Sequence, residues 1–526
     1  MHERIKASQL AVHAQDGGCQ TLANRMMGST RRKETTMESR RSFISKVAGG
    51  AAAMATAAAP GTAATPPRRP NILWICTDQQ RWDTIHALGN EHIRTPSLDA
   101  LAETGVTFTH AYCQSPICTP SRASFLTGMY PSTVHACMNG NEHWDEAAPL
   151  ITKTLADAGY DCGLSGKLHL STAQAHEPEI RPKADGYRRF WFSHSPGQGI
   201  GKGNQYTDWL ESEGHDYKAL KEKYGYLPAP LHQSTWCADR AIDFITEERS
   251  GSWLFSLNCF DPHPPFDPPQ EYVDRFDVAS LAGPLFREAD LEAQRRLSEI
   301  NFQTKPTDPK DFDGKLHQAK YWAQIELIDE NVGRILRALE ETGQRDDTLI
   351  IFTSDHGDMV GDHGLRAKGC RFYEGLVRVP LMISWPERFR QGLRSEALVE
   401  LTDITPTLLE LLGLPIPETM HGTSLLPILT GAADPRSHRE FVRSEYYGAL
   451  EGPQSYATMI RTRRHKLVNY HGHGLGELFD MESDPGEFDN LWDDPQHAEV
   501  RFELMTRNFD ALAFAVDIGP RRIGRY

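Results

Sequence analysis

The sequence predicts an α/β protein whose centre is a buried, mostly parallel sheet flanked by helices. Two kinds of element carry that prediction. Ile72-Leu73-Trp74-Ile75-Cys76 and Thr348-Leu349-Ile350-Ile351-Phe352-Thr353 are short apolar runs, the pattern of strands buried on both faces. Each ends in polar residues, Thr77-Asp78-Gln79-Gln80-Arg81 and Ser354-Asp355-His356-Gly357-Asp358. Open α/β sheets bind ligands at the C-terminal ends of such strands. Between them, from about Leu316 to Thr342, Ile325, Ile328, Val332, Ile335, Leu336 and Leu339 recur at helical spacing. That stripe belongs to a helix packed on a sheet, and Gly343 ends it.

The 526 residues, 39% hydrophobic and 24% charged, suffice for a large globular domain and a smaller one. A net charge of -15 argues against a nucleic-acid partner. It does not attract anions either, so an anionic substrate needs local cations or a metal. The nine cysteines, Cys19, Cys76, Cys113, Cys118, Cys137, Cys162, Cys237, Cys259 and Cys370, show no zinc-like pairing and no disulfide framework.

Residues 1–69 read as a leader rather than as fold. Ser39-Arg40-Arg41-Ser42-Phe43-Ile44, Lys46, a weak apolar run from Val47 to Ala59 and Pro60-Gly61-Thr62-Ala63-Ala64 match a twin-arginine export signal. The run is too short to stay in a membrane as a span. Met37 offers an alternative start just ahead of it. Export to the periplasm or medium through the twin-arginine translocase, with no permanent membrane span, is the expectation.

In chain order, Leu98 to Thr104 reads as a helix and Val106-Thr107-Phe108 as a strand. Cys118-Thr119-Pro120-Ser121-Arg122 then sets a thiol four residues before a guanidinium in a turn-then-helix segment. Alone, this suits a small buried cysteine as well as a nucleophile beside an anion-binding cation. Ile151 to Ala158 reads as a helix and Asp161 to Ser165 as a strand, ending in Gly166-Lys167-Leu168-His169. Alternation places Lys167 and His169 on one face, which suits an oxyanion site or merely a solvated lysine and a capped histidine. Residues 185–230 read as irregular, the place for substrate-recognition loops. Ser234 to Thr246 is a helix with Trp236, Ala241, Phe244 and Ile245 as core. Trp253 to Leu257 is a strand followed by Asp261-Pro262-His263-Pro264-Pro265, whose prolines fix a loop presenting His263. Residues 267–315 form a polar excursion. After the Asp355-His356 strand end come Asp358, Asp362 and His363, read as turn and cap residues, then Lys368, a strand at Leu381 to Ser384 and a capped helix from Thr402 to Leu412. Past about Thr430 helical stripes fade. Asp78 and Gln79 offer hard oxygen ligands for a divalent cation, and bringing them together with Asp355 and His356 would build an O/N metal site; an aspartate there also serves as a plain helix cap.

The pattern Cys118-Thr119-Pro120-Ser121-Arg122 closed by Thr127-Gly128, with Gly166-Lys167-Leu168-His169, Pro262-His263-Pro264-Pro265 and Ser354-Asp355-His356-Gly357, resembles the type I sulfatases over roughly residues 70–495. The resemblance implies an alkaline-phosphatase-like fold: a large mixed, mostly parallel sheet flanked by helices at 70–430 and a small C-terminal α+β subdomain at 431–526. It implies conversion of Cys118 to formylglycine by a formylglycine-generating or radical maturation enzyme. It implies one divalent cation, Ca²⁺ or alternatively Mg²⁺, held by Asp78, Gln79, Cys118 as formylglycine, Asp355 and His356. Adjacent acids usually stand where this chain has Asp78-Gln79, so the carry-over to Gln79 is the weaker one. Arg122, Lys167 and Lys368 would spread sulfate charge. A hydroxyl of the hydrated aldehyde would attack sulfur, His263 (with Lys368) would protonate the leaving alcohol, and His169 would help release sulfate.

The expected activity is hydrolysis of sulfate esters on a sulfated carbohydrate or aryl sulfate. Three alternatives stand beside it: a phosphonate monoester or phosphodiester hydrolase of the same superfamily, a non-catalytic sulfatase-like binding protein, and a thiol enzyme using Cys118 directly.

Overall fold

The computed structural model describes residues 69–516 and 524, apart from 145, 147, 173–178 and 196–202. The expected twin-arginine segment lies outside the described residues. So does Cys19; the other eight cysteines are free thiols.

The predicted sheet is present. Its strands are β1 (Asn71–Thr77), β2 (Val106–Tyr112), β3 (Asp161–Gly166), β4 (Arg189–Phe192), β5 (Trp253–Asn258), β6 (Thr348–Ser354), β7 (Arg378–Val379), β8 (Leu381–Ser384) and β9 (Leu393–Glu400). The order is β4-β3-β5-β1-β6-β8-β2-β7, with β9 alongside β2. β4, β3, β5, β1 and β6 are mutually parallel, while β8 runs antiparallel to β6 and β2. Register levels the C-terminal ends of the parallel five. Cys76 stands opposite both Asn258 and Thr353, Gly166 opposite Asn258 and Phe192 opposite Gly166. The residues that follow these strands therefore line one edge.

Alternation along β1 explains the layers. Leu73 and Ile75 face a core shared with α1 (Pro96–Glu103), α3 (Gln233–Thr246) and α4 (Gly314–Glu341). Ile72, Trp74 and Cys76 face the opposite core, shared with α2 (Cys118–Thr127) and α5 (Ile404–Leu411). Burying both faces is what makes these strands uniformly apolar. No helix of the described residues is long and apolar enough to cross a membrane.

A second sheet, β10 (Phe441–Tyr447), β11 (Tyr456–Thr462), β12 (His465–Tyr470) and β13 (Leu475–Asp480), is antiparallel throughout. It shares the α5-side core on one face through Val442, Met459, Val468 and Phe479. The other face packs with Leu504 of α6 (Ala498–Phe514). This 17-residue helix follows a region where helical stripes fade in sequence.

Two expectations need correction. The strand at Val106-Thr107-Phe108 runs on to Tyr112, because its continuation pairs with β9. Residues 185–230 are not irregular throughout: they contain β4 and helices Gln205–Ser212 and Tyr217–Tyr224. The first of these buries only Tyr206, Thr207 and Leu210, and the second buries nothing fully. Packing of single aromatic rings, such as Tyr206 against Trp236, replaces the dense stripe that sequence periodicity detects.

Candidate active site

Five of the elements just described deliver side chains to one point. β1 ends in Asp78 and Gln79, β3 in Lys167 and His169, β5 in the loop bearing His263, β6 in Asp355 and His356, and α2 begins at Cys118. α2 has no side-chain cap at Ile117, so its positive end is directed at the thiol.

Cys118 Sγ lies 3.6 Å from Asp78 Oδ1, 3.2 Å from His356 Nε2 and 2.8 Å from Lys368 Nζ. Burial and Asp78 oppose its ionisation, yet Lys167, Lys368 and His356 outweigh them and bring the thiol down to about 7. Asp78 pairs with Lys167 through Oδ2, and Arg122 Nη2 stands 3.5 Å from the same oxygen. Burial works against the charge on Asp78, but Lys167, His263, Lys368 and Arg122 hold its carboxyl well below the usual range. Asp355 takes Arg122 Nε at 2.8 Å on one oxygen, and the backbone N–H groups of Gln79 and His356 at 3.0 and 2.9 Å on the other. Arg122 is thus a buried partner of both aspartates. Its Nη1 donates to Lys167 O at 2.8 Å, while Nη2 has no hydrogen-bond partner.

The donor set fits a divalent cation. Ligand atoms of Asp78, Cys118, Asp355 and His356 all lie within 4.8 Å of one another and are buried. His356 Nδ1 is 2.8 Å from Gly357 O; donating there leaves Nε2 free as a ligand. Lys368 Nζ is also held 2.7 Å from Gln79 Oε1 and 3.2 Å from His356 Nε2, so these donors converge on a point that accepts positive charge.

The two outer histidines sit beside this cluster. His263 Nδ1 is 2.7 Å from Pro264 O, and its ring packs on Phe260 at 4.6 Å. Burial and Lys368 depress its pKa well below the ordinary imidazole value. His169 does not reach the site by strand alternation. β3 stops at Gly166, whose φ of 105° turns the chain, and His169 adopts φ 57°. Glu179 accepts the backbone N–H groups of His169 and Leu170, both at 2.6 Å, and so holds that turn. A Cβ at Gly166 would stand 1.9 Å from Asn258 O, so only glycine permits this approach of β3 to β5.

Each residue expected from sequence, Asp78, Gln79, Cys118, Arg122, Lys167, His169, His263, Asp355, His356 and Lys368, therefore lies at this edge. Asp362 and His363 lie apart, pairing with Arg81 at 2.7 Å and Asp290 at 3.5 Å. Sequence missed His194, just past β4, whose ring meets His169 at 4.7 Å and whose Nε2 is buried without a partner. Its signal was the same as elsewhere: Phe190-Trp191-Phe192 running into Ser193-His194, inside a stretch read as loop. By sequence Asp358 is a turn residue. It does bind the N–H groups of Val360 and Ala367, at 2.7 and 3.1 Å, and it also takes the Gln79 amide.

Known proteins resemble this chain over most of its length. The sulfatase family model matches residues 70–414, and a model of the C-terminal part of N-sulphoglucosamine sulphohydrolase matches residues 361–512. The chain is 31% identical to an arylsulfatase of Clostridium perfringens, over 82% of this chain and 92% of that one. It is 31% identical to a choline-sulfatase of Rhizobium meliloti, over 81% and 83%. The crystal structure of a phosphonate monoester hydrolase of Agrobacterium radiobacter superposes with a TM-score of 0.73 at 27% identity, covering 85% of this chain and 96% of that one.

Proposed function

As a member of the sulfatase family, to which the chain belongs, the protein hydrolyses sulfate esters, and we propose that it does so with a formylglycine made from Cys118 and one divalent cation held by Asp78, Gln79, Asp355 and His356. The observation that carries this assignment is the convergence of Cys118 Sγ with Asp78, Asp355 and His356 inside 4.8 Å. When bound, the cation supplies charge stabilisation to the sulfate oxygens and favours loss of a proton from the nucleophile. Formylglycine, when formed, supplies the attacking oxygen.

The chain's own side chains do the rest. Lys368, with Nζ 2.8 Å from Cys118 Sγ, and Lys167, paired with Asp78, are buried cations that neutralise the non-bridging sulfate oxygens. Arg122 orients both aspartates. His263 and Lys368 serve the leaving oxygen. In the free protein burial and Lys368 keep His263 neutral; arrival of an anionic sulfate favours its protonation. His169, with pKa well below ordinary through burial and Lys167, is a neutral imidazole able to take a proton in the second half-reaction.

The substrate class we favour is a sulfated carbohydrate or an aryl sulfate. The arylsulfatase relative and the match of residues 361–512 to a sulphoglucosamine hydrolase model support it. Ca²⁺ suits the oxygen-rich donor set, and Mg²⁺ is the alternative. Residues 70–430 form the catalytic domain and 431–526 a C-terminal subdomain in this proposal, and the separate four-stranded sheet supports the division. Maturation of Cys118 before twin-arginine export is proposed from the residues at 39–64 and the cysteine motif. A second activity, phosphonate monoester hydrolysis at the same centre, is favoured by the likeness to a phosphonate monoester hydrolase.

The test is made on protein matured in a competent host, with the peptide carrying residue 118 checked by mass for aldehyde in place of thiol. Aryl sulfate and aryl phosphonate release are compared beside Cys118→Ala. Faster sulfate release, lost in the variant, supports the proposal. Faster phosphonate release transfers it to the second activity. An unmodified Cys118 in active protein overturns the formylglycine assignment.

A further inference from the structure

An amide ligand has an orientation problem that a carboxylate lacks. Only its oxygen holds a cation, while its nitrogen carries two donors. At Gln79 the orientation is fixed from both ends. Nε2 donates to Asp358 Oδ2, and Oε1 accepts from Lys368 Nζ at 2.7 Å. Reversing the amide would set oxygen against a carboxylate and NH₂ against an ammonium.

The remaining contacts make this a built unit. Gln79 has φ 74°, a left-handed backbone rare for a side chain of its size. Its N–H donates to Asp355 Oδ1 at 3.0 Å and its C=O accepts from Tyr321 of α4 at 2.6 Å. Asp358 is fully buried. Its Oδ1 is committed to the N–H groups of Val360 and Ala367, which leaves Oδ2 for Gln79.

We propose that Asp358 is a positioning residue that turns the Gln79 oxygen into the cation site and supplies that limb's negative charge from behind, so that Gln79 and Asp358 act as one ligand. This rests on the assignment of Gln79 to the donor set. A carboxylate bonded to the amide N–H polarises it and makes Oε1 a stronger donor. Partners one shell out commonly change metal affinity by about 10–100-fold. A glutamate at 79 would set two acceptor-only carboxylates against each other across the buried contact that the Gln79 amide now bridges. Exchanging the two chemistries, Gln79→Glu with Asp358→Asn, restores a donor–acceptor pair with the acid now in front.

The test uses metal-stripped full-length protein titrated with Ca²⁺ alone and with Mg²⁺ alone, by calorimetry and by the rise in Tm over EDTA-treated protein. Expected are affinity losses of about 10-fold or more for Asp358→Asn and for Gln79→Glu, with Tm in EDTA little changed, and recovery of most of that loss in the double variant. Affinity of Asp358→Asn equal to wild type, or a double variant no tighter than Gln79→Glu, overturns the inference. If Asp358→Asn does not fold, Gln79→Glu decides alone, because tighter binding than wild type would sink the pair. Wild type that binds neither ion would remove the cation site and this inference together. Binding lost in His356→Ala but untouched in Asp358→Asn and Gln79→Glu would remove the inference only.

Discussion

Lys368 sets its ammonium 2.8 Å from the sulfur of Cys118, although 250 positions separate the two in sequence. The contact joins the loop after β6 to the start of α2. It gives the thiol a counter-charge in a place where burial alone would suppress ionisation.

In metal-free protein retaining the Cys118 thiol, ultraviolet thiolate absorbance should therefore rise through a midpoint of about 7. The thiolate is the charged form, so cations favour it and its fraction grows as pH rises. Lys368→Met should move the midpoint upward by about one unit or more. Cys118→Ser should abolish the transition, since burial pushes Cys76 and Cys113 far up instead. An unchanged midpoint in Lys368→Met would refute the pairing.

Asp355→Ala leaves the Arg122 guanidinium, 1% exposed, without its closest carboxylate. Breaking a buried pair on one side costs about 3–5 kcal/mol. Denaturant unfolding should show that loss, together with the disappearance of any rise in Tm on adding Ca²⁺.

Gly166→Ala should destabilise the protein by about 2–3 kcal/mol, because its Cβ would meet Asn258 O at 1.9 Å. The wedge would sit between β3 and β5, where Lys167 and His263 emerge. Sulfate-ester turnover should fall along with Tm. Unaltered stability would mean that the strand ends separate freely.

His263→Ala should slow an alkyl sulfate by about 100-fold or more and an activated aryl sulfate much less, since only the poor leaving group needs a proton. Because burial and Lys368 depress the His263 pKa, its imidazolium is scarce at neutral pH and grows as pH falls. For the alkyl ester kcat/KM should decline with rising pH, and that limb should vanish in the variant. Equal losses on both esters would argue for a positioning role instead.

Much of this was readable along the chain. β1, β5, β6 and α4 announced themselves because burial on both faces of a sheet, or on one stripe of a helix, demands dense apolar residues. The cysteine motif and both acidic strand ends were local patterns. The helices between 205 and 224 were hidden because a few aromatic contacts hold them. His194 was hidden with them, although β4 ends as the other parallel strands do. Asp358 read as a turn residue because its turn bonds are local, whereas its bond to Gln79 spans 279 positions.

Which residue types stand at the ends of which strands is legible along the chain, because strand burial and local turns depend on neighbours a few residues away. That five parallel strands end level, that Arg122 ties two aspartates together, and that Lys368 reaches Cys118 emerges from the folded chain alone. Those relations depend on sheet order and register, which long-range packing selects and which no local pattern encodes.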